Sequence, residues 1–166
     1  MLYGICALVA LAGLGLDQWL KHYVVTHIAL GESQAFLPGF VELHRVHNYG
    51  AAWSSFSGMR WLLIGVTALI MLAVGYVLVK KIVRHPLGVL AGFMVLSGGI
   101  GNIIDRLRLG YVVDMFHLEF WPSYPVFNVA DIFVVVGAIL GAIYYLFIYD
   151  KCDKKEKTNG KDHPAA

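Results

Sequence analysis

Charge is scarce in this chain. Only 14% of its 166 residues are Asp, Glu, Lys or Arg, 58% are hydrophobic, and the mean hydropathy is +0.67. A soluble globular chain carries about a quarter charged residues, so this composition excludes that class and points to a membrane protein. The two signs nearly cancel at a net charge of +2, and no basic surface interleaved with aromatics is present, which leaves no case for a nucleic-acid partner. Cysteine is nearly absent as well. Cys6 and Cys152 stand near opposite ends with neither metal-type spacing nor a disulfide framework. Cys6 lies in an apolar run and is expected simply to pack there. Basic residues are missing before the first apolar run, so Ala10-Leu11-Ala12 lacks the positive leader of a cleaved signal peptide, and the run is expected to be retained.

What the chain does have is long apolar runs. Residues 2–16 continue past Asp17 to Val25, residues 61–79 hold 19 positions without a charge, and residues 87–104 and 132–149 hold 18 each. At about 1.5 Å per helical residue, such runs cover the roughly 30 Å hydrocarbon core of a bilayer. The expected architecture is an all-α membrane domain over residues 1–150, with spans at about 2–25, 61–79, 87–106 and 128–149. Residues 26–60 and 107–127 are insertions on one side, and residues 151–166 form a disordered lysine-rich tail. Lys80, Lys81, Arg84 and His85 crowd the short middle loop, and Lys151, Lys154, Lys155, Lys157 and Lys161 crowd the tail. The positive-inside rule puts these in the cytoplasm, with both termini cytoplasmic and both insertions outside. In the first insertion, residues 36–39 read as a turn and residues 40–46 alternate as one short strand lying on the membrane surface. Residues 50–56 read as a short interfacial helix, with Trp53 and Phe56 in the headgroup layer.

Polar residues within spans are costly and need a partner or a role. Here they share one depth. Asp17 lies in the outer half of the first span, with Lys21 four residues later on the same helix face. Asn102, Asp105 and Arg106 end the third span on that side, Asn128 and Asp131 open the fourth, and Asp114 lies between. Each has a plain structural explanation taken alone. Asp17–Lys21 reads as a helix-end ion pair snorkelling to the interface. Ser97-Gly98-Gly99-Ile100-Gly101 follows no strand and precedes no Lys-Ser/Thr, so it reads as small residues for close helix packing and not as a phosphate loop. Asn128 with Asp131 reads as a helix N-cap with an acid in the first turn. Asp114 alone reads as a hydrated carboxylate. None of these accounts for the shared depth. His44 and His47 have ligand-like spacing, but no matching acids or cysteines accompany them, so no metal and no other cofactor is expected.

Two carboxylates near one cleft suggest a chemistry. If Asp114 and Asp131 face each other away from bulk water, repulsion and desolvation favour one shared proton. The ionised member then draws a proton from water as it attacks a peptide carbonyl, and the protonated member bonds the carbonyl oxygen. Ser123 and His117 flank the same loop, but a Ser-His pair also needs an orienting acid and an oxyanion site, which nothing in the sequence marks.

Five motifs in order carry a resemblance: Asp17-Gln18-Trp19-Leu20-Lys21, Asn48-Tyr49-Gly50-Ala51-Ala52-Trp53, Gly98-Gly99-Ile100-Gly101-Asn102-Ile103-Ile104-Asp105-Arg106, Val112-Val113-Asp114-Met115, and Phe127-Asn128-Val129-Ala130-Asp131. On these, the chain resembles the lipoprotein signal peptidases (signal peptidase II), aspartyl endopeptidases of the bacterial inner membrane. The resemblance runs from the first span through the fourth. It implies four membrane helices with a small extracytoplasmic β-sheet cradle and an interfacial helix. It also implies cleavage of diacylglyceryl-modified prolipoproteins just before the lipidated cysteine, by a monomer with no metal. By motif match, Asp114 and Asp131 are the implied catalytic pair, and Asp17, Lys21, Asn48, Gly50, Asn102, Asp105, Arg106, Asn128 and Ala130 the implied supporting residues. Trp53 and Met115 stand where the family usually has Phe, which is expected to alter packing against substrate lipid. The aromatics Trp53, Phe56, Trp61, Phe120 and Trp121 are expected to clamp acyl chains. The rival readings are a proton- or ion-coupled transporter, which requires polar residues at mid-membrane as well, and a non-enzymatic assembly subunit, which gives the two acids no role.

Overall fold

Four helices take up the apolar runs: α1 (Leu2–His27), α2 (Arg60–Val79), α3 (Pro86–Arg108) and α4 (Val129–Phe147), each long and apolar enough to cross a membrane. The structure is a computed structural model that describes residues 1–51, 53 and 55–149, and the lysine-rich tail with Cys152 lies outside these. Leu8, Leu69, Leu72 and Val79 project from the helices uncovered. In water such faces would aggregate; in a bilayer they are the lipid-facing surface. Cys6 is buried and unbonded, packed with Leu78 and Val89.

α3 packs against the other three helices. Its glycines make that possible. A Cβ on Gly98 would collide with the Ala130 carbonyl oxygen of α4, and one on Gly101 would come within 2.7 Å of Asp17 Oδ2 of α1. The small-residue reading of this run is therefore correct: missing side chains let backbones touch.

The extramembrane part contains the small β-sheet that the resemblance implies, with two strands beyond the one read from the pattern of residues 40–46. Three antiparallel strands, β1 (Ser33–Leu37), β2 (Val41–Asn48) and β3 (Val112–Leu118), form one sheet in the order β1-β2-β3. β1 is exposed throughout and β3 is buried on four consecutive positions, so neither shows period-two burial, and in β2 the alternation is one of residue type, with Leu43 its one buried position. The expected turn also shifts. Phe36 and Leu37 finish β1, and the reversal runs Leu37-Pro38-Gly39-Phe40, closed by Phe40 N donating to Leu37 O at 2.9 Å with Gly39 at φ 80°. Pro then Gly at the two central positions is the signature of a type II turn. The expected interfacial helix includes Ala52 and Ser54, outside the described residues. Around them, Trp53 and Phe56 have φ of 52° and 57°, and residues 55–58 form turns.

β2 has two faces. Leu43 packs with Val24, Ile28 and Met115, and Arg45 Nη1 donates to Val25 O and Ile28 O at 3.0 Å, satisfying carbonyls at the end of α1. This clamps the sheet to α1. His44 bonds Ser33 Oγ at 2.8 Å, while His47 stacks on Tyr111 at 3.8 Å, so the two imidazoles do not share a site.

The α3–α4 contact gives a direct check. Gly98→Ala should lower the thermal midpoint in detergent, equivalent to about 1–3 kcal/mol of overpacking, because the obstacle is backbone and not a movable side chain. Gly65→Ala, where a Cβ meets nothing within 4 Å, should be neutral or slightly stabilising by comparison.

Candidate active site

The site is built around one lysine. Lys21 is 3% exposed in α1, and Asp17, one turn earlier, is 1% exposed. The pair is therefore buried and does not snorkel to an interface, which corrects that expectation. Burial is possible because all three ammonium protons find acceptors: Asp17 Oδ2 at 2.9 Å, Asp105 Oδ2 at 3.0 Å and Asn102 Oδ1 at 3.0 Å. Gln18 Nε2 adds a bond to each acid at 3.2 Å. Sequence reasoning did not single out Gln18; its place beside Asp17 was the signal available.

Each acid then fixes another element. Asp17 Oδ1 accepts from Ala130 N at 2.9 Å, placing a carboxylate on the free amides at the start of α4. Asp105 Oδ2 accepts from Val113 N at 3.1 Å, holding β3 against α3 one residue before Asp114. Arg106 Nη2 donates to Gly50 O at 2.8 Å, and Gly50 N donates to Asn48 Oδ1 at 2.9 Å, so the turn after β2 is tied across the same end of α3.

Asp114 and Asp131 are held differently. Asp114, 1% exposed, accepts from Asn128 Nδ2 at 2.7 Å and Asn48 Nδ2 at 2.9 Å. Asp131 accepts from Asn102 Nδ2 at 2.8 Å and from Asn128 N at 3.1 Å. Asn128 Oδ1 accepts in turn from Asp131 N at 2.9 Å, so the N-cap reading is correct, and the same amide also reaches Asp114. Among the described residues no cation forms an ion pair with either acid. Both line one cavity of about 380 Å³ with Asn48, Asn102 and Arg106, walled by apolar residues of α2 and α4 such as Ile70, Met71 and Val134. Burial, then the charge of Asp131, pushes the Asp114 carboxyl up to about 7 against the lowering effect of its amide bonds and Lys21.

The structure thus gathers Asp17, Lys21, Asn48, Gly50, Asn102, Asp105, Arg106, Asp114, Asn128, Ala130 and Asp131 at one end of the bundle. Ser123 and His117 line a neighbouring cavity, but no hydrogen bond joins them among the described residues; His117 Nδ1 bonds Glu42 Oε1 at 2.9 Å. Trp121 and Trp53 lie 5.2 Å and 6.3 Å from Tyr124 beside the site, whereas Trp61 carries Arg60 over its ring at 5.0 Å. The cavity at the other end of the bundle is lined by apolar residues, glycines and two tyrosines, without the polar relay that the transporter reading requires.

A family model described as signal peptidase (SPase) II matches residues 9–147. The chain belongs to the signal peptidase II family. It is 42% identical over 151 residues to a lipoprotein signal peptidase of Enterococcus faecalis, covering 89% of this chain and 88% of that one. A lipoprotein signal peptidase of Streptococcus pyogenes serotype M6 is 46% identical over 129 residues, covering 75% and 82%. Two solved structures of bacterial membrane enzymes superpose with TM-scores of 0.80, at 29% identity over 98% of this chain and 95% of that one, and at 30% over 87% and 94%. The signal peptidase II match takes in α2, α3, β3 and α4 entire, and with them every residue gathered above.

The buried lysine can be tested by itself. Lys21→Met leaves Asp17 and Asp105 facing each other without a cation, and should destabilise the detergent-solubilised protein by about 3–5 kcal/mol, read as a large drop in thermal midpoint or in the monodisperse fraction. Retention of the wild-type midpoint would contradict this account.

Proposed function

We propose that this chain removes the signal peptide from diacylglyceryl-modified prolipoproteins, cleaving just before the lipidated cysteine with Asp114 and Asp131 as the catalytic pair. The observation that carries the reading is two carboxylates at one cavity, each held by amide donors and neither ion-paired. Asp17 and Asp105, by contrast, share Lys21 as a counter-ion. Acids kept only to hold helices together would be expected to have counter-ions, as those two do.

In this reading the pair binds one proton between its members. The ionised carboxylate accepts a proton from water as the water oxygen bonds to the scissile carbonyl carbon, and the protonated carboxyl hydrogen-bonds the carbonyl oxygen. A proton then passes to the nitrogen, the C–N bond breaks, and the products are the signal peptide carboxylate and the free amine of the lipidated cysteine. Asn48, Asn102 and Asn128 orient the two acids and supply no proton. The apolar walls suit a lipid-anchored substrate and limit water near the reacting bond. Lysines in the middle loop and tail support a topology with both termini cytoplasmic and the site toward the outer leaflet. A monomer contains the whole arrangement.

Cleavage of a diacylglyceryl prolipoprotein by purified protein in detergent tests the reading. Asp114→Asn and Asp131→Asn should each lower kcat by about 10²- to 10⁴-fold or more with folding retained; cleavage persisting in either would refute the pair. The pH profile supplies a second check. An acid raised to about 7 loses the required proton above that pH, so kcat/KM should fall on the alkaline side of about pH 7. A flat profile from pH 6 to about pH 9 would oppose a shared proton.

A further inference from the structure

Asp114 borders two cavities. Besides the one it shares with Asp131, a cavity of about 440 Å³ lies over the face of the sheet turned away from α1. Its lining includes Glu42 and His44 of β2, His117 of β3, and Ser123 before α4. Asn48, Asp114 and Tyr124 line both cavities, so Asp114 stands where they meet. The cavity shared with Asp131 has apolar walls between helices; the other has a floor of strand residues that include Glu42, His44, Asp114 and His117, and loop residues such as Trp53, Pro122 and Pro125 complete its lining.

The polar chamber is built by the sheet. Glu42 and His117 are directly opposed across β2 and β3, with Nδ1 and Oε1 at 2.9 Å. Asp114 and His117 are three residues apart and would face opposite sides of a regular strand. The register shift between Leu43 and Val46 brings both onto the chamber side, opposite Val46 and Glu42. His44 is tied to Ser33 on the neighbouring strand, and its ring lies 6.0 Å from that of His117. Among the described residues no Lys or Arg lines the chamber. Arg45, the adjacent cation, points the other way into the end of α1. The hydrogen bond from His117, aided by Ser33 and the nearby imidazoles, holds the Glu42 carboxyl below its usual range, so Glu42 presents a carboxylate to the chamber at neutral pH.

Resting on the proteolytic reading above, we infer that this chamber receives the substrate segment following the cleaved bond, and that Glu42 selects a basic side chain there. A chain bound across Asp114 must leave the dyad in two directions. The apolar cavity suits the signal peptide, and the polar chamber is the space on the other side. His117 is a positioning residue, holding Glu42 through Nδ1. Glu42 is partly solvated, so its preference is modest: about three- to fivefold in kcat/KM.

The test uses full-length protein and three diacylglyceryl prolipoproteins that share one signal peptide and differ only in the three residues after the cysteine, which are all Lys, all Ser or all Glu. Wild type should favour the Lys over the Glu substrate about three- to fivefold, mainly through KM. Glu42→Gln should bring the ratio near one, and Glu42→Lys should invert it. Each ratio is taken within one preparation, so a lowered folded fraction cancels. Equal rates on Lys and Glu substrates by a wild type that cleaves the Ser substrate would overturn the inference and leave the proteolytic reading standing. A preference unchanged in Glu42→Lys would also overturn it. Failure of folded wild type on all three substrates would overturn the proteolytic reading and this inference with it.

Discussion

The ammonium of Lys21 is the constraint on which the rest of the site depends. A lysine placed within a membrane helix is tolerated only if every proton is bonded and its charge is met. Here the three acceptors come from two helices, Asp17 on α1 and Asn102 and Asp105 on α3, so satisfying one cation aligns the two helices in register. The two acids can accept further bonds, and those bonds reach other elements: Asp17 through its second oxygen to the first turn of α4, and Asp105 through the same Oδ2 that meets Lys21 to β3. A single desolvated charge thereby couples α1, α3, α4 and the sheet.

That coupling separates two kinds of carboxylate within one polar end. Asp17 and Asp105 share a lysine and serve as ties. Asp114 and Asp131 form no ion pair with the lysine and take only amide donors, which position a carboxylate without neutralising it. The three asparagines are suited to this because an amide both donates and accepts. Asn128 caps α4 with its oxygen while its nitrogen reaches Asp114, so the start of the helix and the position of the acid are one piece of geometry. The sheet adds the remaining constraint. Clamped to α1 by Arg45 and the Leu43 and Met115 contacts, it carries Asp114 to the mouth of α4 with its polar face open.

Features that obey short-range rules could be read from residue order. Four spans followed from run length, the Asp17–Lys21 contact from the four-residue helical spacing, the Asn128 cap from its acid three residues on, and the glycines of α3 from their density. β3 escaped because Val112-Val113-Asp114-Met115 is buried on every position, and a strand with a register shift has no alternation to detect. β1 escaped because it is exposed on every position.

The sequence by itself determined that this is a four-span membrane protein with its polar residues at one depth, since bilayer thickness and helical rise convert run length into position. The motif order was enough to suggest the family. Only the tertiary structure decided which acid meets which partner. Asp105 joins Lys21, Asn48 joins Asp114, Glu42 joins His117 and Arg106 joins Gly50 across long stretches of intervening chain. Such pairings depend on how helices pack and how a sheet sets its register. A carboxylate that ties helices and one held only by amides are the same residue in the sequence, and the folded chain distinguishes them by whether a cation forms an ion pair with them.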